Sequence, residues 1–229
     1  MLEISGASLR RGGRQLLEHF TLQLPDPGMY LISGPCASGK SLIARMLAGR
    51  LRPDRGKVTL DNAPLYPERG LGLLRGLSGG REGSVGPLFY AQAGQELDGA
   101  ERLYNYLDTE LWRAGAPSST LLPYIEILEA LIPGARTRRL DSLSFSELQL
   151  TQLALGAAVP AGVVVLDGQL GCLDAGCLPV ARRLLAAASN EERYVVLTTP
   201  ADFGEVGRTT RIKLIGELPV AVAERAVDT

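Results

Sequence analysis

Short apolar runs alternate along this chain with segments whose apolar residues suit buried helices. Residues 29–33, 163–167 and 194–198 are short and almost wholly apolar, which is the pattern of strands covered on both faces in a parallel sheet. Residues 42–48 follow the first run and residues 148–158 precede the last two, and both have the apolar content of buried helices. The alternation predicts an α/β core built around a parallel sheet.

Further regions of the chain carry different patterns. Short β runs in the first part of the chain predict an antiparallel sheet beside the core. The segment between Gln92 and Leu140 is predicted to be mostly helical, and two runs near the end are predicted to be closing strands. The β runs are residues 2–7, 15–24 and 57–60, the helical runs are 101–111 and 121–131, and the closing strands are 211–215 and 217–220. Residues 70–86 are rich in glycine and are predicted to form a mobile loop.

Composition and charge exclude several classes of protein. The 229 residues include 24 Lys+Arg, 25 Asp+Glu and 45% apolar residues, a globular composition with almost no net charge. Such a chain does not bind nucleic acid by bulk charge. The 3 cysteines form no CxxC pair, so we expect neither a disulfide framework nor a zinc site, and infer a reduced, cytosolic setting. We find neither a signal peptide nor a run long and apolar enough to span a bilayer, so a membrane role would need another chain.

The strongest chemical signal is the segment GPCASGKS at residues 34–41, which fits the pattern GxxxxGK[ST] between a predicted strand and a predicted helix. In this context backbone N–H groups and the helix N-terminus bind phosphate oxygens. Lys40 would neutralise the outer phosphates, and the Ser41 hydroxyl would hold Mg²⁺. Asp167 ends the apolar run 163–167, and in P-loop enzymes an aspartate at the end of such a strand holds Mg²⁺ through the phosphate site.

From the P-loop onward the chain resembles the ATP-binding cassette (ABC) ATPases, and the turn and strand at residues 51–61 extend the similarity. The resemblance runs through nearly the whole chain and implies one domain over residues 1–229: a P-loop NTPase of the ABC type, with a RecA-like core, an antiparallel β subdomain and an inserted helical subdomain at about 93–140. Gln92 matches the Q-loop glutamine of the family, with Gln95 as the alternative, and residues 171–174 resemble the D-loop.

Two stretches compete for the family's signature, which is normally Leu-Ser-Gly-Gly-Gln. Residues 77–81 match its letters better but lie before the Q-loop, whereas residues 143–147 match them less well and place Ser144 23 residues before Asp167, the spacing that the family keeps. We therefore interpret residues 77–81 as a decoy and choose Ser144 as the residue that reaches the nucleotide of a facing subunit. Phe145 and Ser146 replace the two glycines of the signature.

By this resemblance the nucleotide and Mg²⁺ sites can be assigned residue by residue. The cofactor-binding residues are Gly34, Pro35, Cys36, Ala37, Ser38, Gly39, Lys40, Ser41, Leu42, Gln92, Asp167 and Ser144, of which Ser41, Gln92 and Asp167 form the metal site. Leu42 stands where the family usually has a second hydroxyl residue. The aromatic residue that stacks on adenine is replaced by Arg10 or Arg11.

The catalytic positions depart from the family pattern. Gly168 follows Asp167 where the family has the glutamate that acts as general base, and Pro200 stands where it has a switch histidine. The single histidine of the chain, His19, lies far earlier and is interpreted as a surface or edge residue. Gln169 is a candidate for orienting a water instead. Binding is therefore expected to be kept while hydrolysis is impaired, because loss of a general base costs roughly 10²–10⁴-fold in rate.

Three functions remain open at this stage. The leading hypothesis is an ATP-binding subunit of an ABC-type membrane transport complex with reduced or absent hydrolysis. The alternatives are an ATP-gated scaffold or regulator, and a P-loop kinase-like enzyme. The resemblance implies ATP and Mg²⁺ as cofactors, a second cassette and an integral-membrane subunit as partners, no nucleic acid, and a location on the cytoplasmic face of the inner membrane. Tyr104, Tyr106 and Trp112 belong either to the core or to the partner surface.

Overall fold

The parallel strands and the buried helices that the sequence predicts are present in the computed structural model. It describes residues 1–66, 88–95, 97–188, 192–200 and 209–215, and the backbone of 220–224. The strands are β1 (Leu2–Arg11), β2 (Arg14–Leu24), β3 (Gly28–Ser33), β4 (Arg55–Leu60), β5 (Ala63–Pro64), β6 (Leu88–Gln92), β7 (Val163–Asp167), β8 (Tyr194–Thr199), β9 (Thr209–Ile215) and β10 (Val220–Glu224). The helices are α1 (Lys40–Leu47), α2 (Leu103–Arg113), α3 (Leu122–Glu129), α4 (Phe145–Ala158) and α5 (Leu178–Ala188).

The larger sheet has the order β10-β9-β3-β8-β7-β6, and its strands are parallel except for the antiparallel pair β9 and β10. The pairing places Gln92 opposite Asp167 and Asp167 opposite Thr198. The carboxyl ends of β6, β7 and β8 therefore meet at one edge of the sheet, beside the loop that follows β3. Ligands of parallel α/β sheets bind at this edge.

The smaller sheet is antiparallel, with the order β2-β1-β4-β5. The three β runs predicted for it are confirmed, but β1 and β4 extend beyond the predicted limits. Alternate residues of β1, including Leu2 and Ile4, are fully buried and pack with α1 and the large sheet. A Cβ at Gly56 would lie 2.5 Å from the carbonyl oxygen of Ser5, so the close approach of β4 to β1 requires a glycine there.

The region between β6 and β7 is helical, as the pattern predicted. Leu103, Leu107 and Leu111 of α2 recur at helical spacing, and all are fully buried against a core shared with α3, α4 and α5. Tyr104 and Tyr106 are half-buried against the same core, whereas Trp112 is 78% exposed. The core interpretation therefore holds for the two tyrosines and is wrong for Trp112.

Helix α4 begins three residues earlier than the pattern predicted, because Ser144 forms a capping box with Glu147. The Glu147 N–H donates to the Ser144 hydroxyl at 3.3 Å, and the Glu147 carboxylate accepts from the Ser144 N–H at 2.6 Å. The second closing strand begins at Val220, and residues 217–219 lie outside the described residues, as do the predicted loop at 70–86 and the decoy at 77–81. None of the helices in the described ranges is both long and apolar enough to cross a bilayer.

Candidate functional site

The loop between β3 and α1 is shaped by residues with unusual backbone conformations. Gly39 caps α1 in the left-handed region at φ +85°, and Ala37 lies in the same region at φ +63°. A Cβ at Gly34 would lie 2.9 Å from the Ser38 hydroxyl oxygen and 3.2 Å from the Leu214 carbonyl oxygen, so the loop tolerates no side chain there. This strained and tightly folded segment wraps around the start of α1.

Lys40 extends back into the loop that precedes it. Its Nζ donates to the carbonyl oxygens of Gly34 at 2.9 Å and Pro35 at 2.6 Å, and to the Ser38 hydroxyl at 3.2 Å. Partial burial lowers the pKa of Lys40. The ammonium group is thus held by neutral oxygens at the mouth of the loop. An anionic ligand would replace these neutral oxygens and form a stronger, charge-assisted hydrogen bond with the ammonium group.

The first turn of α1 is free of acidic residues. A helix N-terminus carries backbone N–H groups without intrahelical partners and a partial positive charge, and a carboxylate there would compete with an anion. Leu42, which stands where the family usually has a second hydroxyl residue, packs its side chain against the core cluster shared by α1 and the two sheets. Cys36 is exposed at the outer side of the same loop.

Asp167 lies at the centre of the carboxyl edge of the sheet and is only 3% exposed. One carboxylate oxygen, Oδ1, accepts from the Ser41 hydroxyl at 3.1 Å and from the Thr198 hydroxyl at 2.6 Å. The other, Oδ2, accepts from the Tyr90 hydroxyl at 3.1 Å. The P-loop serine and the aspartate, 126 positions apart in sequence, are therefore in direct contact.

Gln92 lies beside this cluster, whereas Gln95 points elsewhere. The Gln92 side-chain carbonyl accepts from Arg45 Nη2 at 3.0 Å and lies 3.3 Å from the Tyr90 hydroxyl. Burial raises the pKa of Tyr90, so its hydroxyl stays protonated and acts as a donor. Gln95 lines a separate cavity that is bounded by Phe145 and Gln149. The structure thus favours Gln92 over the alternative.

The cluster opens into a cleft of about 260 Å³. It is lined by Ser41, Gln92, Ala93, Asp167, Gly168, Gly171, Cys172 and Pro200. Gly168 adopts a left-handed conformation at φ +87°, and a Cβ added to Gly171 would lie 2.8 Å from Cδ of Pro200. Both positions where the family has catalytic side chains therefore belong to the cleft wall. The only histidine of the chain, His19, is exposed on β2 of the other sheet.

Gln169 does not lie in the cleft. Its side chain is fully buried, and its amide donates to the side-chain carbonyl of Gln152 on α4 at 3.2 Å. A group that orients a water must reach the cleft. The placement of Gln169 therefore does not support its proposed role as a water orienter.

Ser144 and Phe145, in the segment chosen as the signature, do not line the cleft of their own chain. Ser144 is exposed and caps α4, and Phe145 is 51% exposed. Ser146 is buried, and its hydroxyl donates to the Cys172 carbonyl at 3.2 Å and accepts from the Asp174 N–H at 3.3 Å. The serine that replaces a glycine thus joins the start of α4 to the loop after Asp167.

Arg10 and Arg11 are the last two residues of β1, and both are exposed. Arg10 Nε donates to the Gly13 carbonyl at 3.0 Å, and Arg11 pairs with Asp54 at 2.9 Å. Arg10 therefore keeps its guanidinium plane at the surface, whereas Arg11 is engaged by a carboxylate.

Sequence reasoning missed three residues of the site, namely Arg45, Tyr90 and Thr198. Each of them had a signal, in its spacing along the chain or in the pairing of its strand. Tyr90 precedes Gln92 by two positions and therefore shares its face of β6, and Thr198 is the β8 residue in register with Asp167. Arg45 follows Ser41 by one helical turn, so it lies on the same side of α1.

A glycine-shaped loop between a parallel strand and a helix, with a lysine and a serine at the helix start and an aspartate ending a neighbouring strand, defines a P-loop nucleotide-binding protein. Residues 17–169 match the family model described as ABC transporter. The chain therefore belongs to the ABC transporter family of ATP-binding proteins. The resemblance to the ABC ATPases and the α/β fold class, both inferred from the sequence, are confirmed.

Relatives are found among import and export ATP-binding proteins. The chain is 30% identical over 177 residues to the Fe(3+) ions import ATP-binding protein FbpC of Streptomyces coelicolor, covering 76% of this chain and 47% of that protein. It is 29% identical over 199 residues to the cytochrome c biogenesis ATP-binding export protein CcmA of Paramagnetospirillum magneticum, covering 86% of each. A 65-residue segment is 43% identical to the hemin import ATP-binding protein HmuV of Pseudomonas putida, covering 28% of this chain and 26% of that protein. The chain thus spans about a quarter to half of the length of several curated relatives that it matches.

Solved structures with the same fold include the dimeric bacterial ABC transporter cassette MJ0796, with a TM-score of 0.72, 17% identity and full coverage of both chains. A post-hydrolysis dimer of the same cassette, bound to ADP and Pi, gives a TM-score of 0.74 at 17% identity, again with full coverage of both chains. At these identities the similarity shows the fold alone.

Proposed function

We propose that this chain is the ATP-binding subunit of an ABC-type membrane transport complex, and that it binds Mg-ATP but hydrolyses it slowly or not at all. One observation carries the proposal. The same cleft joins the intact pair Ser41 and Asp167 to Gly168 and Pro200, which bear no general base. We take residues 1–229 as one such ATP-binding domain, with the helical subdomain at about 93–140.

The phosphates would lie in the loop of residues 34–42, with their oxygens on backbone N–H groups of the loop and of the α1 N-terminus. Lys40 would exchange its carbonyl partners for the outer phosphate oxygens. The donor set at Ser41, Asp167 and Gln92 consists of hydroxyl, carboxylate and amide oxygens, which are the hard ligands that Mg²⁺ prefers. When bound, Mg²⁺ supplies charge neutralisation for the phosphates.

The hydrolysis step is expected to be slow because Gly168 and Pro200, the described cleft residues at the family's two catalytic positions, cannot take a proton from water. A missing general base costs roughly 10²–10⁴-fold in rate. The phosphate-binding contacts arise from backbone groups and Lys40, which do not depend on residues 168 and 200. Binding and turnover are therefore separable in this chain.

We also propose that ATP acts mainly as a dimerisation ligand, and that Ser144 contributes to the nucleotide site of a facing cassette. The exposure of Ser144 and Phe145 at the start of α4 is compatible with an interface. The expected partners are a second cassette and an integral-membrane subunit, with the chain on the cytoplasmic face of the inner membrane. The names of the import and export relatives support the membrane partner.

A titration with a fluorescent ATP analogue in the presence of Mg²⁺ tests the binding site. We expect saturable binding by the wild-type protein and large loss of affinity in Lys40→Ala, because Nζ is the charged group of the loop. Lys57→Ala is the matched control, since Lys57 is exposed on β4 of the other sheet. Equal affinity in wild type and Lys40→Ala would refute the assignment of this loop.

Light scattering with and without Mg-ATP tests the dimer. An ATP-dependent rise in mass would support a homodimer with ATP bound between the two copies. A monomer under both conditions would point to a different cassette as partner. The double variant Gly168→Glu/Pro200→His restores the two catalytic residue types. If this variant dimerises but gains no turnover, the replacement of the signature glycines by Phe145 and Ser146 limits hydrolysis. Free hydrolysis would show instead that Gly168 and Pro200 alone account for the slow step.

A further inference from the structure

Among the described residues, Tyr90 is the one whose hydroxyl lies within hydrogen-bonding distance of both the aspartate and the Q-loop glutamine. The Tyr90 hydroxyl oxygen lies 3.1 Å from Asp167 Oδ2 and 3.3 Å from Gln92 Oε1. Its position on β6 is fixed by parallel pairing, which sets it opposite Val165, two residues before Asp167. Its side chain consequently runs along the sheet face that carries Asp167.

A phenol has a single proton, so Tyr90 can donate to only one of these two oxygens at a time. The shorter contact, and the one to a charged acceptor, is that to Asp167, and charge-assisted hydrogen bonds are the stronger ones. Gln92 does not need the phenol, because Arg45 Nη2 already donates to its oxygen at 3.0 Å. The geometry thus assigns the Tyr90 proton to Asp167.

Asp167 is consequently held at both of its oxygens. Ser41 and Thr198 donate to Oδ1, and Tyr90 donates to Oδ2. A carboxylate with donors on one oxygen alone can rotate about its Cβ–Cγ bond, whereas donors on both oxygens fix its plane. The plane so fixed keeps Oδ1 at the Ser41 hydroxyl.

We propose that Tyr90 is a positioning residue of the magnesium site, which acts by fixing the orientation of the Asp167 carboxylate. The inference rests on the proposed function, because it needs Mg-ATP to bind in this cleft. It assigns Tyr90 no contact with the nucleotide. The metal-dependent part of the binding energy should therefore change when the hydroxyl is removed, and the metal-independent part should not.

The test is Tyr90→Phe, which removes one oxygen atom and keeps the ring. Affinity for the fluorescent ATP analogue is measured in Mg²⁺ and again in EDTA, and the ratio of the two gives the magnesium enhancement. We expect this enhancement to fall by about tenfold, the lower end of what loss of an outer-shell partner costs a metal site. Affinity in EDTA should stay within about twofold of the wild type, as expected for a group that touches only the metal ligand.

The matched control is Tyr30→Phe. Tyr30 is a buried tyrosine on β3 of the same sheet, but its hydroxyl donates to the Asp26 carbonyl at 2.6 Å, away from the cleft. This variant should keep the wild-type magnesium enhancement. Thermal melting of both variants shows that each is folded at the temperature of the titration.

Repeating the test in the Gln92→Ala variant shows whether the Tyr90 hydroxyl acts through Asp167 or through Gln92. If the phenol acts through Asp167, Tyr90→Phe lowers the magnesium enhancement in Gln92→Ala by the same factor as in the wild type. If it acts through Gln92, the factor disappears in that background, because interacting residues are not additive. The second result would overturn the inference.

Other results are equally decisive. An unchanged magnesium enhancement in Tyr90→Phe overturns the inference, and so does an equal loss of affinity in Mg²⁺ and EDTA, which indicates a merely structural residue. Wild-type binding that Lys40→Ala leaves intact overturns the proposed function, and the inference with it. Binding that depends on Lys40 but not on the Tyr90 hydroxyl overturns the inference and leaves the proposed function intact.

Discussion

Gly168 offers a quantitative test of how the backbone shapes the end of the cleft. Its φ of +87° lies in the left-handed region, which costs an L residue about 1–2 kcal/mol. A Cβ added there would lie 3.4 Å from Cβ of Ala93, an ordinary van der Waals contact, so sterics add little to this cost. We therefore expect Gly168→Ala to lower the free energy of unfolding by about 1–2 kcal/mol.

Urea unfolding of Gly168→Ala and of Gly162→Ala, run side by side, measures this difference. Gly162 precedes β7 with ordinary backbone geometry, and a Cβ there would meet no atom within 4 Å. Gly162→Ala should be neutral or stabilising by up to about 1 kcal/mol, because alanine reduces the entropy of the unfolded chain. Equal unfolding free energies for the two variants would refute the left-handed conformation of Gly168.

The same backbone cost applies to Gly168→Glu, which restores the family's carboxylate. The turnover of any Gly168→Glu variant is therefore interpretable only beside the stability of Gly168→Ala. A variant that is folded and binds Mg-ATP, but still fails to hydrolyse it, would indicate that the glutamate is not presented to the cleft from a left-handed backbone.

Three further predictions concern buried and reactive groups. The Arg193 guanidinium donates to three carbonyl oxygens at the ends of α4 and α5, at 2.7 to 3.0 Å, so Arg193→Met should cost about 3 kcal/mol or more by urea unfolding. Mg-ATP should slow alkylation of Cys36, which is exposed in the P-loop, as followed by mass spectrometry. Burial raises the pKa of the Cys177 thiol to about 11, so stability should fall as the pH rises from about 9 to 11, where only the unfolded thiol ionises, and Cys177→Ala should flatten this decline.

Each of these outcomes has a contrary result. A loss below about 1 kcal/mol in Arg193→Met would mean that water satisfies the carbonyls. An unchanged alkylation rate of Cys36 with Mg-ATP would place the nucleotide away from the loop. A decline of stability between pH 9 and 11 that survives in Cys177→Ala would assign the titration to another group.

Much of this fold was predictable because its elements carry local signals. The β-branched run ending at Asp167 gave a strand, and parallel pairing then brought that aspartate to Ser41, although 126 positions separate them in sequence. The earlier start of α4 was predictable in principle, since Ser144 and Glu147 have the spacing of a capping box. The pattern of apolar residues alone does not report caps, and so the predicted helix began too late.

The remainder of the site depends on contacts that no local pattern encodes. Gln169 follows the catalytic position and is polar, yet it pairs with Gln152 in the core because the 3₁₀ turn after Gly168 points it inward. Tyr90 looked like one more apolar strand residue until its strand was set beside β7. The exposure of Trp112 likewise depends on which face of α2 packs against α4, and single aromatic residues do not reveal that face.

The central proposal is that this chain binds Mg-ATP but hydrolyses it slowly or not at all. The most direct measurement is a rapid-quench time course of protein-bound, radiolabelled Mg-ATP, with the Lys40→Ala variant as the background. The account predicts that the wild-type protein binds ATP above this background and that the bound nucleotide remains ATP over many seconds. Conversion of bound ATP to ADP at about 1 s⁻¹ or faster, within the range of ordinary enzymes, would contradict it.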